Sequence, residues 1–190
     1  MTQLTPRHRL VRAAVEAFAE KGFHATTTRD IASRAGMSPA ALYVHHPSKE
    51  GLLYELSRDG HLAALDVVRR AVDGSDVPAE RLRRLVHDFT RWHAEHSLTG
   101  RIVQYELTAL APEHLAEVAG YRRDIEATAR EVLEDGVARG AFSVDDVPGT
   151  ALAVLSLGVD LVRWYLPDGP RTPESVADLY AALALRMVAA

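Results

Sequence analysis

Apolar residues recur along this chain at spacings of three and four, and no run shows the two-residue alternation of β-branched positions that marks a strand. The pattern predicts an all-α protein of about nine helices. The first runs from about Pro6 to Lys21, with Leu10, Ala14 and Phe18 as its inward stripe and Gly22 placed to end it. Two short helices follow, Thr28 to Ala35 and Pro39 to His45. A long fourth runs from Ser48 toward Val72, and the turn-forming stretch Asp73 to Pro78 breaks it. A fifth is expected over Ala79 to His96, a sixth over Gly100 to Leu110, and a seventh from Pro112 to Arg139, stopped by Gly140. The eighth, Asp146 to Leu166, is apolar nearly all round and reads as buried on every side. After a tight turn at Pro167 to Pro170, the ninth helix spans Pro173 to Val188 with a stripe of Val176, Leu179, Tyr180, Leu183 and Met187. Two neighbouring helices with this much apolar surface predict a homodimer joined through them as a four-helix bundle.

The short second and third helices carry the most specific spacing. Ala32, Gly36 and Leu42 follow one another as a helix-turn-helix requires: a small residue where the helices approach, a glycine for the positive φ of the turn, and a plug that seats the second helix beside Ile31. Thr27 and Asp30 have the spacing of a capping box, and Ser38 is placed to cap the next helix, with Pro39 at its tolerated first position. The outward residues of that helix, Ser38, Ala40, Ala41, Tyr43 and Val44, are mostly small, so its backbone can approach the base edges of a major groove. Thr26, Thr27, Arg29, Tyr43 and His45 are placed for phosphates, which fix register. Lys49 sits in the first turn of the fourth helix, where the macrodipole favours an acid, and is expected to point at a phosphate.

Charge agrees with a nucleic-acid-binding head. Residues 1 to 54 hold seven basic groups against four acids, a net +3, which leaves −7 for the rest of a chain whose total is −4. The chain has no cysteine, so disulfides, thiolate metal sites and thiol catalysis are excluded. The N-terminus lacks the apolar stretch of a secretory signal, and the longest uncharged run, Val147 to Val159, is too short to cross a bilayer. A cytoplasmic protein with no membrane partner is expected.

Gly22 and Phe23, Thr26 to Ala32, Ala35 to Ser38, and Leu42 to Leu52 together make residues 7 to 54 resemble the DNA-binding head of the TetR family of bacterial repressors. His46 departs from that family's pattern, which has phenylalanine or tyrosine there. An imidazole is flat enough to pack in that place, and it brings the prospect of pH-sensitive local stability. The resemblance implies a helix-turn-helix DNA-binding domain over residues 1–54 and a helical ligand-binding and dimerisation domain over residues 55–190. It implies a repressor that sits as a dimer on a palindromic operator and is released by a small-molecule effector, with the fourth helix as the lever. Arg163 to Glu174, Tyr121 to Glu126 and Gly136 to Phe142 resemble the branch that senses acyl-coenzyme A thioesters. For such an effector Leu65, Phe89, Trp92, Tyr105 and Trp164 are the candidates for an acyl tunnel, and Arg101, Arg122, Arg123 and Arg163 for phosphates. Asp160 and Arg163, three residues apart, have the alternative of pairing with each other.

Two rivals stand beside the repressor. One is an enzyme handling acyl thioesters, although the sequence has no G-x-S-x-G, no phosphate-binding G-x-x-x-x-G-K-[ST] and no H-E-x-x-H. The other is a DNA-binding activator with no effector. No cofactor is expected. Nor is a metal, because His93 and His96, with His87 or His114, come with no supporting carboxylate pattern.

Overall fold

The computed structural model describes residues 5–189, and among them the chain forms nine α-helices, two 3₁₀ turns and no strand. The helices are α1 (Pro6–Lys21), α2 (Thr28–Arg34), α3 (Pro39–His45), α4 (Lys49–Asp73), α5 (Pro78–Glu95), α6 (Ser97–Glu106), α7 (Pro112–Ala138), α8 (Val147–Asp160) and α9 (Pro173–Met187). The chain divides into two compact units. The N-terminal unit takes residues up to 60 together with 101–118, and the C-terminal unit takes 61–100 and 119 onward.

In the N-terminal unit α1 starts at Thr5, whose side chain accepts the His8 amide, and ends at Gly22 with φ 78°. Its buried stripe of Leu10, Ala13, Ala14, Ala17 and Phe18 meets Ile31 and Ala32 of α2, Leu42 of α3 and Leu52, Leu53 and Leu56 of α4. Ile102, Val103, Leu110 and Val118 complete this core. Each fully buried leucine or isoleucine contributes about 1.5–3 kcal/mol of transfer free energy.

The C-terminal unit is built around α5, which buries Leu82, Leu85, Val86 and Phe89 at helical spacing. Leu65 and Val68 of α4, Ile125, Val132 and Leu133 of α7, Val154 and Leu155 of α8, and Ala181 and Ala184 of α9 pack into the same core. At Gly158 of α8 an added Cβ would stand 2.8 Å from the Phe89 ring and 3.5 Å from the Thr90 hydroxyl oxygen, so the two backbones approach closely there.

Four details differ from the sequence pattern. The eighth helix stops at Asp160 and tightens into a 3₁₀ turn, Leu161–Arg163, instead of continuing to Leu166. It is also not buried all round within this chain. Ala151, Val154, Leu155 and Gly158 face inward, while Ala153 and Ser156 are exposed and Leu152 is 52% exposed. In α9 the alanines, not the large residues, face the core: Val176, Ala177, Ala181 and Ala184 are buried, and Leu179 and Met187 are exposed. Small side chains let α9 lie close on its neighbours, so of the expected stripe only Val176 is buried, Tyr180 and Leu183 are half-buried, and Leu179 and Met187 face outward. The sixth helix starts earlier than expected, at Ser97, so Gly100 lies within it rather than opening it, and it gives way to a 3₁₀ turn at Leu107–Ala109.

Candidate nucleic-acid interface

The head is fixed by polar side chains of short reach. Gly22 closes α1 with its amide on the Phe18 carbonyl at 2.9 Å, and Phe23 turns back onto Phe18 with ring centroids 5.1 Å apart. The Thr26 hydroxyl is buried, 2.7 Å from the Gly22 carbonyl and 3.1 Å from that of Ala17. That places Thr26 inside the head, and its expected phosphate contact is replaced by a tie between the loop and α1.

Lys49 has a comparable role. Its ammonium donates to the carbonyls of Phe23, His24 and Thr26 at 2.7, 3.0 and 3.0 Å, and lies 4.5 Å from the centre of the Phe23 ring. An ammonium has three protons, and here each has a carbonyl. The cation at the start of α4 is therefore explained by the loop it binds rather than by a phosphate. Ser48 accepts the Gly51 amide at 2.9 Å, so the helix end itself is capped.

The reading element is held equally closely. Thr27 and Asp30 exchange side-chain and backbone bonds as a capping box. The Thr27 hydroxyl and amide, with Lys21 at 3.0 Å, hold the Asp30 carboxyl well below the usual carboxylate range. After α2, Gly36 takes φ 66°, its amide reaches the Ser33 carbonyl at 3.1 Å and that of Met37 reaches Ala32 at 2.9 Å, a closed left-handed helix end. Ser38 then caps α3 by accepting the Ala41 amide at 3.1 Å, with Pro39 in the first turn.

Only Leu42 of α3 is buried. Ser38, Pro39, Ala40 and His45 are exposed, Ala41 is half-buried, Tyr43 is 53% exposed and Val44 81% exposed. The Tyr43 hydroxyl lies 3.1 Å from that of Thr28, which holds the phenol at the surface. Thr27 and Arg29 are exposed as well. A helix anchored by one leucine, with small residues in its first turn and Tyr43, Val44 and His45 turned outward, has the form that enters a major groove.

The expected effector residues are not all brought together. Leu65 and Phe89 are buried in the C-terminal core and Trp92 packs against it. Arg101 and Tyr105 belong to the N-terminal unit, and Tyr105 is 57% exposed. Arg122, Arg123, Arg163 and Trp164 lie at the surface, Arg163 with its guanidinium 3.2 Å from Asp160 as the alternative pairing foresaw. Sequence reasoning missed the polar groups beside Phe89. The Thr90 hydroxyl is fully buried with no hydrogen-bond partner. His93 gives its Nδ1 to the Phe89 carbonyl at 2.8 Å, and burial pushes its imidazole down to about 4. Attention to aromatic spacing along α5 passes over Thr90, and the sequence weighed His93 only as a metal ligand.

Residues 10–56 match the family described as bacterial regulatory proteins, tetR family, and residues 75–188 match a tetracyclin repressor-like C-terminal domain. The HTH-type transcriptional repressor KstR2 of Mycobacterium tuberculosis is 34% identical over 182 residues, covering 94% of this chain and 90% of the relative. The chain belongs to the TetR family of transcriptional regulators. It is a DNA-binding transcriptional repressor. A solved TetR-family protein from Rhodococcus RHA1 superposes with a TM-score of 0.92 at 39% identity, over 98% of both chains. AibR, solved with isovaleryl coenzyme A and operator DNA, shares the TetR fold with a TM-score of 0.84 at 23% identity, over 94% of this chain and 97% of that one. No helix among the described residues is long and apolar enough to cross a membrane.

The departure from the TetR pattern at His46 is accommodated inside the head. The imidazole is buried after α3, its Nε2 3.4 Å from a Glu55 carboxylate oxygen, while the other Glu55 oxygen accepts from Arg7 Nε at 2.7 Å. Burial pushes the His46 pKa down, with Glu55 opposing and Arg7 and His45 adding to the shift.

Proposed function

We propose that this repressor acts in the cytoplasm as a homodimer on a palindromic operator and is released by an acyl-coenzyme A thioester. The exposed face of α3 carries the reading: Ser38, Pro39, Ala40, Ala41 and Val44 approach base edges, and Thr27, Arg29, Tyr43 and His45 take phosphates. The observation that supports this most is the 81% exposure of Val44 and 53% of Tyr43 on a helix whose only inward residue is Leu42. Residues 1–54 serve as the DNA-binding domain and 55–190 as the effector and dimerisation domain.

Dimerisation through α8 and α9 is supported by Leu152, Leu179 and Met187, which leave an apolar face on the C-terminal unit. The acyl chain is assigned to the neighbourhood of Leu65, Phe89 and Trp92, where Thr90 and His93 add polar groups beside an apolar wall. Exposed arginines such as Arg122 and Arg123 suit the phosphates. AibR's bound isovaleryl coenzyme A is consistent with an effector of this class.

The test is fluorescence anisotropy on duplexes from upstream of the protein's own gene. Wild type binds one palindromic fragment, more weakly as salt rises. A Tyr43→Ala, Val44→Ala double variant binds at least about tenfold more weakly, the loss of one or two specific contacts. An acyl-coenzyme A thioester releases the wild-type complex. Undiminished binding by the double variant defeats the interface, and no release across a panel of acyl chain lengths defeats the effector class.

A further inference from the structure

The histidines that the sequence grouped together are separated by the fold. His93 and His96 turn their Nδ1 atoms to the carbonyls of Phe89 and Trp92, each at 2.8 Å, and His114 pairs with Glu50 at 2.7 Å in the other unit. His87 instead meets α9. Its Nε2 lies 3.2 Å from Glu174 Oε1 and 3.7 Å from Asp178 Oδ1. One ligand atom from each of the three residues lies within 4.8 Å of the others.

The imidazole is oriented from behind. Asp88 Oδ1 stands 2.8 Å from His87 Nδ1; in the tautomer that carries its proton on Nδ1 this carboxylate accepts it, and the Nε2 lone pair is directed at Glu174 and Asp178. A carboxylate behind a histidine is the arrangement that fixes the tautomer of a metal ligand and raises its basicity. Glu174 and Asp178 are one turn apart on α9, where like charges repel each other unless a cation is shared. The cations facing the cluster are offset from it. Arg91 reaches Glu174 at 3.8 Å and also bonds Glu95, and Arg83 is held by both oxygens of Glu80 at 2.8 Å. The His87 side chain is 12% exposed, whereas those of Glu174 and Asp178 are 59% and 68% exposed, so the site is floored by the protein and open to water.

We propose that His87, Glu174 and Asp178 form a binding site for a divalent transition metal ion, with Asp88 as the positioning residue, which clamps the first turns of α9 onto α5. One imidazole nitrogen and two carboxylates suit Zn²⁺ or Mn²⁺, and the ordinary affinity series puts Zn²⁺ ahead. Water completes the coordination on the exposed side. This site is independent of the effector reading and stands against the expectation of no metal. The carboxylates absent from the sequence pattern come from a helix about ninety residues further along the chain.

Full-length protein, stripped with chelator, is titrated with Zn²⁺ by calorimetry and followed by thermal unfolding. The wild type takes up one ion per chain and melts at a higher temperature with it. Co²⁺ in place of Zn²⁺ gives visible absorption bands that Zn²⁺ abolishes. Glu174→Gln and Asp178→Asn, both surface changes, each weaken Zn²⁺ binding at least about tenfold, and Asp88→Asn weakens it about 10- to 100-fold. A wild type that takes up no Zn²⁺, or one whose binding and melting shift survive in Glu174→Gln and Asp178→Asn, overturns the proposal.

Discussion

The two units of this repressor are held together in different ways. The N-terminal unit adds to its apolar core a set of individual polar contacts: Thr26 to the end of α1, Lys49 to three loop carbonyls, Thr27 with Asp30, and Ser38 to α3. The C-terminal unit depends on a broad apolar core around α5, and one of its buried polar groups, the Thr90 hydroxyl, has no hydrogen-bond partner. A contact such as the Lys49 ammonium needs one side chain at one position, so the head tolerates little variation. Apolar positions in a helical core can be exchanged while volume is kept, so the second unit is free to change its interior without losing its fold.

This contrast can be broken by mutation, and the largest effect is expected in the apolar core. Phe89→Ala removes the ring that Gly158 accommodates and is expected to destabilise the protein by about 3–5 kcal/mol in urea unfolding followed by circular dichroism. A loss under about 1 kcal/mol would mean that the core around α5 collapses readily and is not tightly packed. Lys49→Met keeps an unbranched apolar side chain but removes the charged donor over the Phe23 ring, and about 2–3 kcal/mol of stability is expected to go with it. The folded variant should keep the wild-type salt dependence of operator binding. A fall of about one in that slope would return Lys49 to the DNA backbone.

The smallest expected change sharpens the comparison through pH. Each unit contains an imidazole that burial holds below its ordinary value of 6.5, His46 in the head and His93, at about 4, beside Phe89. A depressed histidine pKa means that the unfolded chain takes up the proton first. The stability each contributes is thus complete above about pH 6.5 and is lost as pH falls through the folded value. His46→Phe removes the head's share, where Glu55 opposes the shift and Arg7 and His45 assist it, and leaves the share from His93, which His61 and His96 face. Melting temperatures between pH 7 and pH 4.5 measure the difference, and an unchanged pH profile in His46→Phe would show that the imidazole contributes nothing.

Local chemistry made the head legible before any coordinates. The capping box at Thr27, the left-handed turn at Gly36, the cap at Ser38 and the plug at Leu42 act within a few residues of chain, so their spacing fixes their geometry. Helix order was legible for the same reason, since periodicity is a local property. Roles that depend on distant partners were not. The alternative uses of Thr26 and Lys49 became clear only when the loop carbonyls were seen beside them.

By itself, then, the sequence determined an all-α chain, a helix-turn-helix and the face that α3 leaves outward. Tertiary structure decided which side of α9 is inside, because close approach favours its alanines over Leu179 and Met187, and a periodic stripe cannot say which of two apolar faces will meet the core. It also decided that His87 joins Glu174 and Asp178 rather than His93 and His96. A ligand set drawn from two helices has no signature along one chain, since the distance that matters is set by packing and not by residue number.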